Sequence, residues 1–285
     1  MSCSLTALVE NTPSEHLALG VEHGLSLFVE TPQTAFIFDC GSTGLAWRNA
    51  VLLNVKLRRA RFAAVSHAHY DHAGGFPALL RHVSAAMRRG ERSNLETLYT
   101  GPGFWEEKFA YTAEGDKYTY LGAGFGKDDL DAWGVRHEIC DGLLKLDDYA
   151  WLVGNFERRF GFETIPARFV RGANKEPDDF GDEICLALRE GDGVAVITGC
   201  AHPGILNIVT SVHERLGLPV TSVVGGTHLK EADEVRIDRT LTELRDMGMR
   251  RMALCHCSGS AVRERLRECG AAGCLLSTGD RLEFN

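Results

Sequence analysis

In the run Ser66-His67-Ala68-His69-Tyr70-Asp71-His72-Ala73-Gly74-Gly75, four side chains able to ligate a metal fall within six residues. Residues 62–65 before it are apolar and read as a short strand that delivers the chain into His67. Alternate residues of an extended segment project to one side, so His67 and His69 can face one cation together. As the chain turns, Asp71 and His72 swing toward a neighbouring position and can hold a second. Gly74 and Gly75 permit the close backbone approach that this crowding requires. The other reading, four polar residues in an exposed loop, is disfavoured by the density of ligand types. Two adjacent cations would lower the pKa of water, polarise a substrate oxygen and stabilise developing negative charge.

Two further histidines occupy comparable places. Thr198-Gly199-Cys200-Ala201-His202 follows a predicted strand at 194–198, and Cys255-His256-Cys257 follows one at 251–254. Open α/β sheets bind ligands beyond the carboxyl ends of their strands, which puts all three clusters at one edge of the predicted sheet. A lone histidine is more often structural than a ligand; three clusters at matching strand ends reverse that expectation for His202 and His256. Cys200 and Cys257, as neighbours of these histidines, are expected to point into the sheet as small buried apolar residues. Glu22-His23 reads as a satisfied polar corner, and His16, His82, His137 and His213 as surface or structural residues. Cys257-Ser258-Gly259-Ser260 leads into a predicted helix, where its N–H groups could bind an anion or Ser258 or Ser260 could cap the helix; capping is preferred. Phe104, Trp105, Phe109, Tyr118, Tyr120 and Phe125 either line a pocket for a flat ring or form core, and core is preferred.

The elements that must position these residues follow from pattern. Strands are predicted at 5–9, 25–30 and 34–39, the last after the turn Thr31-Pro32-Gln33. Pro77 suits a first helical turn, and Leu79, Leu80, Val83 and Met87 recur at helical spacing until Gly90. Residues 91–180, rich in Gly, aromatics and charge, read as an irregular insertion of strands and loops covering one end of a single domain spanning 1–285. In the last third, Ile205, Ile208, Val209, Val212 and Leu216 mark a helix closed by Gly217. A strand at 220–224, a helix at 233–247, a helix at 260–269 and a final strand at 274–277 complete the pattern. Strands alternating with helices imply an α/β layered architecture.

The 285 residues can bury a substantial core. With 31 Lys and Arg against 39 Asp and Glu, the formal net charge is −8, which disfavours a sequence-independent grip on nucleic acid. The short runs Arg58-Arg59-Ala60-Arg61 and Arg88-Arg89 lie near expected helix ends, as solvated faces or dipole contacts. Residues 1–5 carry no basic region like that of a signal peptide, and no apolar stretch approaches the roughly 20 residues of a spanning helix. The nine scattered cysteines form no Cys-x-x-Cys pair, so reduced thiols, a cytoplasmic location and no membrane partner are expected.

The His-x-His-x-Asp-His run resembles the metallo-β-lactamase superfamily, whose fold is a four-layer αββα sandwich with a dinuclear metal site. More narrowly, Leu8-Val9-Glu10-Asn11, Glu22-His23-Gly24-Leu25-Ser26, Phe38-Asp39-Cys40-Gly41, Gly199-Cys200-Ala201-His202-Pro203-Gly204-Ile205, Gly225-Gly226-Thr227-His228-Leu229 and His256-Cys257-Ser258-Gly259 are similar to the branch related to the dihydropterin-aminobenzene-phosphate synthases. The resemblance implies that His67, His69 and His202 hold one metal and Asp71, His72 and His256 a second, with water between. Zinc is the first choice for this nitrogen and oxygen set, with iron(II) or manganese as alternatives. Many hydrolases of the superfamily place a bridging carboxylate after the strand between the third and last histidine ligands. Here that strand ends in Gly225-Gly226-Thr227-His228, so either water alone bridges or His228 takes part; His228 is a candidate for the active site or for packing. Asp39, at the end of its strand, is expected to orient a ligand histidine.

The leading function implied is metal-dependent hydrolysis of a small anionic ester, phosphoester or lactone. The alternative is a transferase that condenses a pterin-methyl diphosphate with an arylamine. A non-catalytic binding protein is disfavoured by the complete ligand set. A small-molecule substrate is expected in each enzymatic case.

Overall fold

The computed structural model describes residues 2–88, 95–112, 115, 117–268 and 275–285. Gly90, Arg89, Cys269 and Cys274, each used in an expectation above, lie outside the described residues. The strands form three sheets. One has seven strands in the order Arg281–Phe284, Cys3–Val9, Ser26–Glu30, Ala35–Cys40, Ala60–Ala64, Thr97–Thr100 and Arg136–Ile139. Its first four strands pair antiparallel and the pairings from Ala35–Cys40 onward are parallel. The second has six, in the order Arg251–Leu254, Val220–Gly225, Gly193–Thr198, Ile184–Glu190, Ala150–Gly154 and Leu143–Lys145. There the first three strands are parallel and the rest antiparallel.

Strand period decides the layering. In Ala35-Phe36-Ile37-Phe38, Phe36 and Phe38 face the core between the two large sheets, against Leu152, Leu186, Ile197 and Ala253 of the second. Ala35 and Ile37 face the other way, into a core shared with Ala46 and Ala50 of the helix Leu45–Leu52 and with Phe76, Leu79 and Val83 of the helix Phe76–Arg88. On the far side, Val196, Val223 and Met252 of the second sheet meet three helices, Ile205–Leu216, Glu234–Asp246 and Ser260–Glu268. Ile205, Ile208, Val209 and Val212 supply one helix stripe, and Ile237, Leu241 and Leu244 the next. The result is the four-layer αββα sandwich. Because both faces of each central strand are covered, Ala35–Cys40 and Gly193–Thr198 are buried throughout.

Several expectations are corrected. The last strand is Arg281–Phe284, paired with Cys3–Thr6 at the sheet edge. Residues 275–277 are not a strand, although Leu276 is fully buried between the sheets, because Ser277 to Asp280 form a turn in which Ser277 N–H donates to Asp280 Oδ2. The helix Leu45–Leu52 has no start signal in sequence: no side chain caps it and its first turn holds no acid. The stretch at 91–180 supplies strands to both large sheets and adds a four-stranded antiparallel sheet of Glu176–Pro177, Phe169–Arg171, Lys108–Tyr111 and Tyr118–Tyr120. No helix among the described residues is long and apolar enough to cross a membrane.

Candidate metal centre

The strand ends that carry the ligand-type residues belong to both large sheets, not to one edge of a single sheet as the sequence suggested. His67 follows Ala60–Ala64 in the first; His202, His228 and His256 follow Gly193–Thr198, Val220–Gly225 and Arg251–Leu254 in the second. The two sheets open at the same end, so these carboxyl ends face each other across one cleft. His69 is still extended (φ −70°, ψ 144°) and caps the short helix Tyr70–Ala73, which turns Asp71 and His72 inward. Gly75 packs so tightly that a Cβ there would lie 2.0 Å from the Cys40 carbonyl oxygen, fixing the run against the loop after Ala35–Cys40.

Two sulfur-free clusters result. Ligand atoms of His67, His69 and His202 lie within 4.8 Å of one another, and so do those of Asp71, His256 and His23. His72 joins them: its Nε2 is 3.1 Å from His256 Nε2 and 3.7 Å from Asp71 Oδ2. Three of the histidines, His72, His202 and His256, are held from behind. His72 Nδ1 donates to Asp39 Oδ2 at 2.7 Å, and Asp39 also accepts from Ser66 N–H and Ser66 Oγ. His202 Nδ1 donates to Glu183 Oε2 at 2.8 Å, and Glu183 also accepts the Ala201 and His202 N–H groups. His256 Nδ1 is 2.9 Å from Asn11 Oδ1 and its N–H donates to Glu10. Ala68 N–H donates to Asp182, which with Asp178 clasps the buried Lys108 ammonium.

This arrangement fits a bound cation. His67 Nε2 and His69 Nε2 are buried and have no hydrogen-bond partner, a costly state for a polar atom unless something else binds it. With Nδ1 of His72 donating to Asp39, Nε2 is the ring nitrogen left to face His256. Burial pushes His69 down to about 3 and holds His67 and His202 well below their usual value, so these rings are neutral donors. Burial works against ionisation of Asp71, but His72, His23 and His256 outweigh it and hold the carboxyl well below its usual range. Burial likewise opposes protonation of His72, yet Asp39 and Asp71 raise it to about 9, an excess positive charge that a metal ion would replace. Asp39, Ala201, His228 and His256, each within three residues of a strand end, adopt positive φ, a costly conformation for a residue other than glycine.

A cavity of about 250 Å³ opens above the clusters. His69, Asp71, His202 and His256 line it with His228, whose ring centroid is 4.5 Å from that of His202 and whose imidazole burial lowers to about 4. Arg168 and Lys230 bring positive charge to the cavity; Arg168 lies over the Phe169 ring and pairs with Glu231.

Of the remaining residues, some stand where the sequence put them and others do not. Glu22 is the polar corner, accepting from Ser42 and Thr43 N–H, but His23 reaches Asp71 at 3.2 Å and stacks on His256. Cys200 and Cys257 are buried in the cavity wall and outside the sheet cores; Cys200 Sγ is 3.3 Å from His72 Nε2. Ser258 Oγ accepts from Thr227 N–H and Thr227 Oγ1. The aromatic rings lining the cavity are Tyr70 and Phe169; Phe104, Trp105 and Phe125 pack in the core under the first sheet, and Tyr118 and Tyr120 are exposed. His137 meets Thr100 Oγ1, His82 stacks on Trp47, and His213 meets the Leu218 carbonyl. Glu183, absent from the sequence reading, has no local motif; its only signal is a buried acid opening a strand.

The model of the metallo-beta-lactamase superfamily matches residues 19–211, and the chain belongs to that superfamily. It is 26% identical over 249 residues to a 7,8-dihydropterin-6-methyl-4-(beta-D-ribofuranosyl)-aminobenzene-5'-phosphate synthase of Methanocaldococcus jannaschii, covering 84% of this chain and 81% of that protein. Its fold is similar to that of Tm1679, a metal-dependent hydrolase of the beta-lactamase superfamily, with TM-score 0.79 and 22% identity over 98% of each chain. It is also similar to a diphosphatase from the PhnP family, with TM-score 0.56 and 15% identity over 100% of this chain and 98% of that one.

Proposed function

We propose that this protein is a dinuclear metal-dependent hydrolase of a small anionic ester, phosphoester or lactone. His67, His69 and His202 would hold one cation, and Asp71, His72 and His256 the other, with zinc as the first choice. The observation that carries the reading is the pair of adjacent ligand clusters in which buried His67 Nε2 and His69 Nε2 lack any partner. When bound, the two cations supply an activated water and a polarising centre for the substrate oxygen. The chain's own residues do the rest. Asp39 and Glu183 fix the rings of His72 and His202, and Arg168 and Lys230 draw an anionic group toward the cavity. His228, which burial lowers to about 4, has its ring centroid 4.5 Å from that of His202 and would offer a neutral imidazole as a hydrogen-bond partner to the substrate.

A second reading is a transferase joining a pterin-methyl diphosphate to an arylamine, favoured by the 26% identity to the synthase. Here Tyr70 and Phe169 would meet the flat ring. The test is to assay the metal-loaded protein with generic phosphodiesters and lactones beside a pterin diphosphate and arylamine pair. Hydrolysis of single substrates, abolished in His69→Ala, is expected; turnover only with both pterin and amine present would replace hydrolysis with transfer.

A further inference from the structure

The ligands assigned above offer only nitrogen and oxygen, yet a sulfur lies between the two clusters. Cys200 Sγ is 3.3 Å from His72 Nε2. It belongs to one compact group of ligand atoms with His67 and His72, and to a second with His256 and Cys257. One side chain thus reaches both halves of the site, beside the fully buried His67 whose Nε2 has no partner. The loop after Val220–Gly225 brings one carboxylate, Glu231, to the cavity wall, but Arg168 holds it and it joins none of the ligand groups. The loop's Gly226 backbone presses so close that a Cβ would lie 2.6 Å from Cys257 Sγ and 3.2 Å from Cys200 Cα. That space holds the two cysteines, and Cys257 is engaged otherwise: its Sγ accepts from His228 N–H and donates to the Cys200 carbonyl.

We propose that Cys200 is itself a metal ligand, its thiolate bridging the two cations where a carboxylate is missing. The inference rests on the two-cation reading above. On binding, the S–H proton leaves to solvent and the sulfur lone pairs form the bonds to metal, with no change of oxidation state. A thiolate bridge shifts the preference of the site toward zinc and away from manganese, which favours oxygen ligands.

The test is cobalt(II) reconstitution of the full chain, with metal content and the near-ultraviolet sulfur-to-cobalt charge-transfer band read separately. Two cobalt ions per chain and the band are expected, with the band lost in Cys200→Ser and kept in Cys257→Ser. Two ions without the band, or a band that survives in Cys200→Ser, would overturn the sulfur ligand and leave the two-cation reading standing. Less than one ion per chain would overturn both. Should Cys200→Ser fail to fold, X-ray absorption of the zinc-loaded parent and Cys257→Ser decides: a sulfur neighbour at about 2.3 Å in both supports the proposal, and its absence from either overturns it.

Discussion

At the scale of single residues, the site depends on carboxylates that touch ring nitrogens from behind. Asp39 is fully buried and accepts three hydrogen bonds, one of them from His72 Nδ1. Asp39→Asn is expected to weaken metal affinity by roughly 10- to 100-fold, as losses of such orienting groups do. A chelator competition titration measures it, and unchanged affinity would show that His72 keeps its orientation without Asp39. Glu163 carries a different prediction. It accepts the Leu206 and Asn207 N–H groups at the start of Ile205–Leu216, and burial raises its carboxyl to about 7. The folded chain therefore holds this proton more tightly than the unfolded chain, so its contribution is full below about pH 4.5 and is lost as pH rises through about 7. Glu163→Gln should flatten the fall in stability over that window by about 1–3 kcal/mol, read from urea denaturation at several pH values. Parallel curves for the parent and the variant would refute it. Asp39 was legible in sequence because it ends a predicted strand within the motif Phe38-Asp39-Cys40-Gly41; Glu163 and Glu183 lie in no such motif, and only the fold brings them onto Leu206, Asn207 and His202.

At the scale of elements, the loop bearing His67 to His72 is clamped by parts of the chain that share no motif with it. Lys108, on the strand Lys108–Tyr111, is buried between Asp178 and Asp182, and Asp182 in turn receives Ala68 N–H. Burial alone would favour the neutral amine, but the two carboxylates outweigh it and raise the Lys108 pKa. Lys108→Met leaves two buried carboxylates without their cation, and a loss of about 3–5 kcal/mol is expected in urea denaturation. Adding Asp178→Asn and Asp182→Asn should recover part of it; no loss in the single variant would mean the clamp is dispensable. Periodicity revealed the helices Ile205–Leu216 and Glu234–Asp246, since each has a clear apolar stripe and a stop or cap at its ends. It did not reveal the four-stranded sheet, whose strands run two to four residues and alternate weakly.

At the scale of the whole molecule, two sheets meet at the site, so a cation held between them ties the halves of the sandwich together. A ligand at about 100 times its Kd stabilises the native state by about 2.7 kcal/mol. Chelation should therefore lower Tm by about 5–10 °C for a chain of this size, and the drop should vanish in His69→Ala. Scanning calorimetry with and without chelator reads both; an unchanged Tm in the parent would mean that no cation bridges the sheets.

The sequence by itself determined an α/β layered pattern and the ligand-type residues, because a dense motif and the 2.0 and 3.6 residue periods are local properties of the chain; the superfamily and its αββα sandwich followed from the resemblance of its motifs. Only the tertiary structure decided that His67 comes from one sheet while His202, His228 and His256 come from the other. Only it brought His23 onto Asp71 and set Cys200 beside His72, residues 128 apart in the chain. Contacts across such separations depend on how two sheets pack and where their strands end, which no stretch of sequence encodes alone.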